Sequence, residues 1–248
     1  MPDQPALVPD STAVRVALWR AQHLEVDALP SVFVDDVALK LAPPHAEWRQ
    51  RPDMHPQGIA PFRAAIVGRA RFVEDMLDTE IGRGVRQYVI LGAGLDTFAQ
   101  RRADLVDRLN IFEVDRPEPQ AWKQQRLAKL GLPSPPSLHF VPVDFEAGDD
   151  WWTRLGSAGF DAGRPAVIAS TGVSMYLTLE AINATLRRMA NLAPGSTFAM
   201  SFLLPLDMAD PEMRPHLERA IVGAKASGTP FISFFKPEAM LALAREAG

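Results

Sequence analysis

The stretch QYVILGAGLDT, residues 87–97, restricts the possible folds more than any other part of the chain. Residues 88–91 are an apolar run of strand length, and they lead directly into Gly92-Ala93-Gly94. Glycines at that spacing let the backbone turn sharply and come close to a bound molecule. From Gln87 onward, short apolar runs alternate with helix-like segments. Strands are expected at 88–91, 111–114, 138–143, 166–169 and 197–202, and helices at 98–108, 118–130, 150–157 and 179–192. The second of these helices opens after Pro117 and stops at Gly131. Thr178 is placed to cap the fourth, with Glu180 in its first turn and Pro194-Gly195 beyond its end. Such alternation implies right-handed crossovers and a doubly wound, mostly parallel, Rossmann-like α/β sheet covered on both faces.

The first 85 residues break the pattern. Helical patches at 11–24, 33–42 and 61–78, separated by the Pro-rich stretch LAPPHAEWRQRPDMHPQG, read as a helical cap (1–85) belonging to the same domain as the core at 86–248. At 248 residues the chain is long enough for a substantial core, and 47% hydrophobic with 23% charged residues is ordinary for a globular protein. A net charge of -4, with no basic run longer than a pair such as Arg101-Arg102, argues against nucleic acid or an anionic membrane as partner. Having no cysteine excludes disulfides, thiolate metal sites and cysteine nucleophiles. No signal pattern and no run of 18 apolar residues is seen, so a cytoplasmic protein is expected.

Open parallel sheets bind ligands outside the carboxyl ends of their strands. Past the first strand stand Gly92, Ala93 and Gly94. The second, IFEVD, ends in Asp115; the third, FVPVDF, in Asp144-Phe145; the fourth, VIASTG, in Ser170-Thr171-Gly172. One carboxylate can accept from both hydroxyls of a ribose, which nominates Asp115, with a solvated or helix-capping acid as the plainer reading. Glu113 is expected to point to the other side of its strand and is set aside. Asp144 can accept from an adenine amino group while the Phe145 N–H donates to the ring; a strand-end turn is the competing reading.

Charge separates the candidate ligands. A dinucleotide turn carries a third glycine, at position 97 here, and rests its pyrophosphate on a helix N-terminus; this chain has Thr97. S-adenosyl-L-methionine has no phosphate, but its carboxylate calls for a cation. In FRAAIVGRARFVEDML the apolar stripe reads Phe62, Ile66, Phe72-Val73 and Met76, and Arg69 falls inside it. Such an arginine either snorkels to water or meets an anion through a bidentate bond. Arg71, with Glu74 and Asp75 at ion-pair spacing, is assigned to the surface.

LGAGLDT, followed by FEVDRPE, VPVDF and STGVSMYLT, resembles the leucine carboxyl methyltransferase family across roughly residues 12–248. More narrowly it is similar to the bacterial branch of S-adenosyl-L-methionine-dependent methyltransferases that includes polyketide O-methyltransferases. The resemblance implies a class I methyltransferase fold and S-adenosyl-L-methionine as cofactor. Arg69 would hold its carboxylate, the Gly92-Ala93-Gly94 turn its backbone, Asp115 its ribose, and Asp144 with Phe145 its adenine. Three positions depart from the family pattern. The arginine after LDT is Phe98 here, and the glutamate that faces the cofactor amine is Thr171, so a hydroxyl and nearby carbonyls would replace it. The chain also stops at ALAREAG, before the family's closing strand pair.

Methyl transfer from a sulfonium is an in-line displacement on an activated donor, and positioning can contribute about 7–11 kcal/mol. A carboxylate acceptor needs no base, whereas a phenol or hydroxyl is helped by one. No base stands out among His23, His45, His55, His139 and His216. His139 sits in a strand and reads as structural, leaving His55 and His216 as weak candidates. Tyr176 either lines an acceptor pocket or packs. Asp207 and Asp210 lack a third metal ligand, so no metal is expected, and Asp210 before Pro211 reads as a helix N-cap. The segment 203–235 and the preceding Phe202, with Leu203, Leu204, Phe231, Ile232, Phe234 and Phe235, are expected to face the cap and favour a hydrophobic or aromatic small-molecule acceptor. The same residues could instead be core or a homodimer contact. The reading is therefore an S-adenosyl-L-methionine-dependent O-methyltransferase. The alternatives are an NAD(P)-dependent oxidoreductase, disfavoured by Thr97 and by the lack of a Tyr-x-x-x-Lys pair, and a non-catalytic nucleoside-cofactor-binding protein.

Overall fold

A computed structural model describes residues 11–42, 46–145 and 150–248, and the chain divides into two compact units, Met1–Phe160 and Asp161–Gly248. The first unit opens with α1 (Ser11–Val26), α2 (Ala38–Leu41) and α3 (Ala60–Gly82). It continues with β1 (Gln87–Leu91), α4 (Phe98–Arg101), β2 (Asn110–Asp115), α5 (Pro117–Leu130), β3 (Leu138–Pro142) and α6 (Trp151–Ser157). β2 pairs in parallel with β1 (Val89 opposite Phe112) and with β3 (Phe112 opposite His139). Every residue of β1 is buried, as a strand covered on both faces requires. The second unit holds β4 (Val167–Ser170), α7 (Leu179–Ala190), β5 (Thr197–Met200), α8 (Arg214–Ala226) and α9 (Pro237–Ala247), with β4 and β5 parallel. The sheet order is β3-β2-β1-β4-β5, the doubly wound α/β arrangement that the alternation implies.

Local chemistry sets the helix ends. Pro117 occupies the first position of α5, and Gly131 closes it in the left-handed region at φ 64°, where glycine carries no Cβ penalty. The Thr178 hydroxyl accepts the Ala181 N–H at the start of α7. Several expected elements come out shorter. The helix expected at 33–42 begins only at Ala38, because the Asp35 carboxylate accepts the Ala38 N–H at 2.9 Å and so defines the helix start. The helix expected at 98–108 ends at Arg101. Arg102 leaves helical geometry (φ −101°, ψ 54°), and single turns follow, Leu105 N–H to Arg102 carbonyl and Arg108 N–H to Leu105 carbonyl. The last strand stops at Met200 rather than 202. Asp210 does not cap α8 directly. Its side chain accepts the Glu212 N–H in a preceding turn, and the helix starts at Arg214.

The buried face of α3 is Arg63, Ile66, Val67, Val73, Leu77, Glu80 and Ile81, so the stripe lies to one side of the expected one, and Phe72 is 63% exposed. Arg63 can be buried because Asp27 takes a bidentate bond from it and the Pro56 carbonyl accepts from it at 3.0 Å. The cap's core gathers Leu18, Leu41, Trp48 and Met54 around Leu95, the residue that follows the glycine turn. In the second unit Ile182, Leu186 and Met240 form a core between α7 and α9, joined by Phe198, Phe202 and Phe235.

Candidate functional site

The glycine turn satisfies its own donors. Gly92 and Gly94 have φ of 70° and 52°, the left-handed region where a side chain would be strained. The Gly92 and Ala93 N–H groups both donate to the Val114 carbonyl of β2, at 2.8 and 3.2 Å. The Gly94 N–H donates to the Asp115 carboxylate, whose other oxygen accepts the Arg116 N–H at 2.7 Å. Asp96 continues the turn, donating its N–H to the Ala93 carbonyl and accepting the Phe98 N–H on its side chain at 2.8 Å. A Cβ at Gly94 would meet the Ala13 Cβ of α1 at 3.2 Å, so the cap lies directly on the turn.

The ends of β2 and β3 are joined by the Val143 N–H donating to the Asp115 carbonyl at 2.8 Å, which brings Asp115 and Asp144 to neighbouring positions. Asp115, Asp144 and Phe145 are all half-buried. The Phe145 ring lies 6.4 Å from Trp151, which meets Trp152 edge-on at 5.4 Å. Burial raises the Asp115 carboxyl above its ordinary range, and the Gly94 and Arg116 N–H groups partly offset this by favouring the charged form. A carboxylate offers about four acceptor positions. Two are occupied by the backbone, and the remainder suit a vicinal diol.

The expectation that Glu113 points away from Asp115 is corrected. Residues two apart on a strand share a face, so alternation does not separate them; depth does. Glu113 is 1% exposed and bonded at 2.5 Å to the Lys123 ammonium of α5, whereas Asp115 stands at the strand end. Burial pushes the Glu113 carboxyl up to about 7 despite the Lys123 charge.

On α3, Arg69 is half-buried and Arg71 exposed. Arg71 bonds Asp75 at 2.7 Å, the pairing expected of it, but Glu74 does not join them. Glu74 turns inward to Arg101. Arg101 also donates to the Thr97 hydroxyl at 2.9 Å and lies 3.6 Å from Asp35, with its guanidinium over the Phe33 ring. Thr97, 1% exposed, donates its hydroxyl to Asp35 at 2.8 Å. Asp35 also accepts from Arg20 at 2.7 Å, and Arg20 in turn donates to the Leu95 carbonyl at 2.7 Å. Burial alone would raise the Asp35 carboxyl, but the Arg20 and Arg101 charges and the bonds from Arg20 and Thr97 hold it below the ordinary carboxylate range. Sequence reasoning missed this cluster and Asp96. An acid two residues before a helix is a legible turn signal, so Asp96 could have been found; nothing local marks Asp35.

In the second unit Thr171 is half-buried and precedes Gly172, whose φ is 77° and whose N–H donates to the Ser201 hydroxyl at 2.8 Å. Tyr176 packs on Phe231 with ring centres 5.5 Å apart, and Phe202 and Phe235 sit in the helix core. Leu204 and Ile232 remain exposed. Of the histidines, His139 stacks on Phe112 at 4.8 Å, as its structural reading requires, and His55 accepts the Gly58 N–H. His216 pairs with Arg219, and His45 lies outside the described residues. Among the described residues no group of three or more His, Asp or Glu is placed to hold a metal ion, and no helix is long and apolar enough to cross a membrane.

Comparison with known proteins fits this geometry. A Bacillus subtilis (strain 168) protein named "Putative S-adenosyl-L-methionine-dependent methyltransferase YktD" is 36% identical over 171 residues, covering 68% of this chain and 55% of the relative. A Mycobacterium bovis (strain BCG / Pasteur 1173P2) protein with the same description, without the YktD designation, is 34% identical over 224 residues, covering 88% and 71%. The crystal structure of a duf574 family protein from Streptomyces avermitilis superposes with a TM-score of 0.56 at 17% identity, covering 95% of this chain and 82% of that one, which speaks to the fold alone. The chain spans about half the length of several of the curated relatives it matches. Residues 13–190 match the leucine carboxyl methyltransferase family, and the chain belongs to that family.

Proposed function

We propose that this chain binds S-adenosyl-L-methionine at the carboxyl ends of β1, β2 and β3 and is the cofactor-holding part of a methyltransferase acting on a small hydrophobic or aromatic acceptor, at a carboxylate or hydroxyl oxygen. One observation carries the cofactor reading. The N–H groups that a dinucleotide turn would offer to phosphate are committed here: Gly92 and Ala93 to Val114, Gly94 to Asp115, and Phe98 at the start of α4 to the Asp96 carboxylate. A carboxylate already lies where a phosphate would need a helix N-terminus, and it would repel the newcomer. A phosphate-free nucleoside meets no such conflict.

In this reading Asp115 accepts from the ribose hydroxyls, Asp144 accepts from the adenine amino group, and the Phe145 N–H donates to the ring. Ala93 follows the close approach that Gly92 and Gly94 allow, and Arg69 takes the amino-acid carboxylate. When bound, S-adenosyl-L-methionine supplies a methyl group already activated by a sulfonium. The protein's share is then to fix donor and acceptor in line and to exclude water, with no base required for an ionised carboxylate. The exposed Leu204 and Ile232 and the Tyr176–Phe231 ring pair of the second unit support an apolar acceptor.

Calorimetric titration with S-adenosylhomocysteine and separately with NAD tests the cofactor assignment. Binding of the first alone is expected, and binding of NAD alone would overturn it. A labelled-methyl screen over phenolic and carboxylic acceptors tests the chemistry; no transfer to any of them would remove the acceptor proposal.

A further inference from the structure

We infer that Asp35 is a positioning residue for the glycine turn, acting from the cap through Thr97 and Arg20; its consequence for cofactor affinity rests on the function proposed above. Asp35 is fully buried, and three donors converge on it from different elements: the Ala38 N–H of α2, the Arg20 guanidinium of α1 and the Thr97 hydroxyl. The last two secure the residues just beyond Gly94 from both sides. Arg20 reaches past Asp35 to the Leu95 carbonyl, and Thr97, two residues on, is tied to Asp35 itself. With Leu95 buried in the cap's core and Ala13 against Gly94, Leu95 and Thr97 are held by the cap, while Gly94 meets both the cap and Asp115 at the end of β2.

The conformation of Gly94 decides where its N–H points, and that N–H orients the Asp115 carboxylate. Loosening residues 95–97 therefore releases Gly94 first and Asp115 second. Asp35 touches no ligand position in this scheme. Its carboxylate is also the counter-charge that makes the burial of Arg20 tolerable, whereas Arg101 keeps Glu74 as its main partner.

The variant Thr97→Val tests the mechanism with little change in volume, because it deletes only the hydroxyl between Asp35 and Arg101. Hydrogen exchange measured by mass spectrometry on the ligand-free protein is expected to rise at least tenfold for amides 92–96 and to stay unchanged in α6. Leu77→Ala, a buried α3 variant of comparable destabilisation, should leave residues 92–96 as protected as in the parent. Unchanged exchange at 92–96 in Thr97→Val, or an equal rise in Leu77→Ala, would overturn the positioning role. The affinity for S-adenosylhomocysteine should fall about five-fold or more in Thr97→Val and in Asp35→Asn, with the double variant no worse than the weaker single one. Additive losses would sink the shared pathway. If the parent protein bound no S-adenosylhomocysteine, the function proposed above would fall, while the exchange comparison would still decide whether Asp35 sets the turn.

Discussion

Replacing Asp115 with asparagine is the sharpest perturbation the site offers, because both carboxylate oxygens already accept backbone N–H groups, from Gly94 and Arg116. An amide has one oxygen, so one of those donors must face an NH2 group instead. Leaving a half-buried N–H opposite a donor costs about 1–3 kcal/mol of stability, read as a fall in the unfolding midpoint. The ribose loses at least one charge-assisted bond, about 1.5–3 kcal/mol, so affinity for S-adenosylhomocysteine should drop about 10- to 100-fold. Titration calorimetry on the parent and variant, at a temperature where both are folded, measures this directly. A pH series adds a sign. The charged carboxylate is the acceptor and burial raises its pKa, so parent affinity should weaken on acidification earlier than for an ordinary aspartate. Asp115→Asn should flatten that dependence. An affinity within twofold of the parent, with the pH dependence intact, would refute the assignment of Asp115 to the ribose.

Gly94→Ala forces a side chain into φ 52° and against Ala13, so about 1–2 kcal/mol of stability and most cofactor binding should be lost, checked by thermal unfolding and calorimetry. Arg69→Ala should weaken S-adenosylhomocysteine binding about ten-fold or more while Arg71→Ala, which breaks an exposed pair with Asp75, changes it less than twofold; equal effects would mean Arg69 does not hold the carboxylate. Lys123→Met leaves Glu113 buried without a counter-charge, for a loss of about 3–5 kcal/mol at pH 8 by denaturant titration. Because the Glu113 carboxyl already sits at about 7 and rises further without its partner, acidification to pH 6 should recover part of that loss.

The strand ends were legible because their signal is local. An apolar run that stops at Gly92, Asp115 or Asp144 marks its own boundary, whereas the bond from Val143 to Asp115 had no sequence signal. The cap was harder to read. The sequence of α3 permits several stripes within a few tens of degrees of one another. The one chosen by the fold buries Arg63 and Glu80, which becomes possible only through partners such as Asp27, far away in sequence. Thr97 illustrates the same limit. As a missing third glycine it argues against a dinucleotide, but its hydrogen bond to Asp35 spans 62 residues and leaves no periodic trace. Likewise Arg101-Arg102 read as a short basic run, although Arg101 closes a buried network and Arg102 bonds Asp78 and Asp104.

The rung from the Val143 amide to the Asp115 carbonyl has a metric consequence. It holds the strand that ends at Asp115 and the strand that leads into Asp144 about 4.8 Å apart, a spacing dictated by peptide geometry rather than by side-chain choice. In the proposed site, substitutions at either acid would tune how strongly a guest is gripped, while the spacing of the strands that carry them follows from the sheet itself.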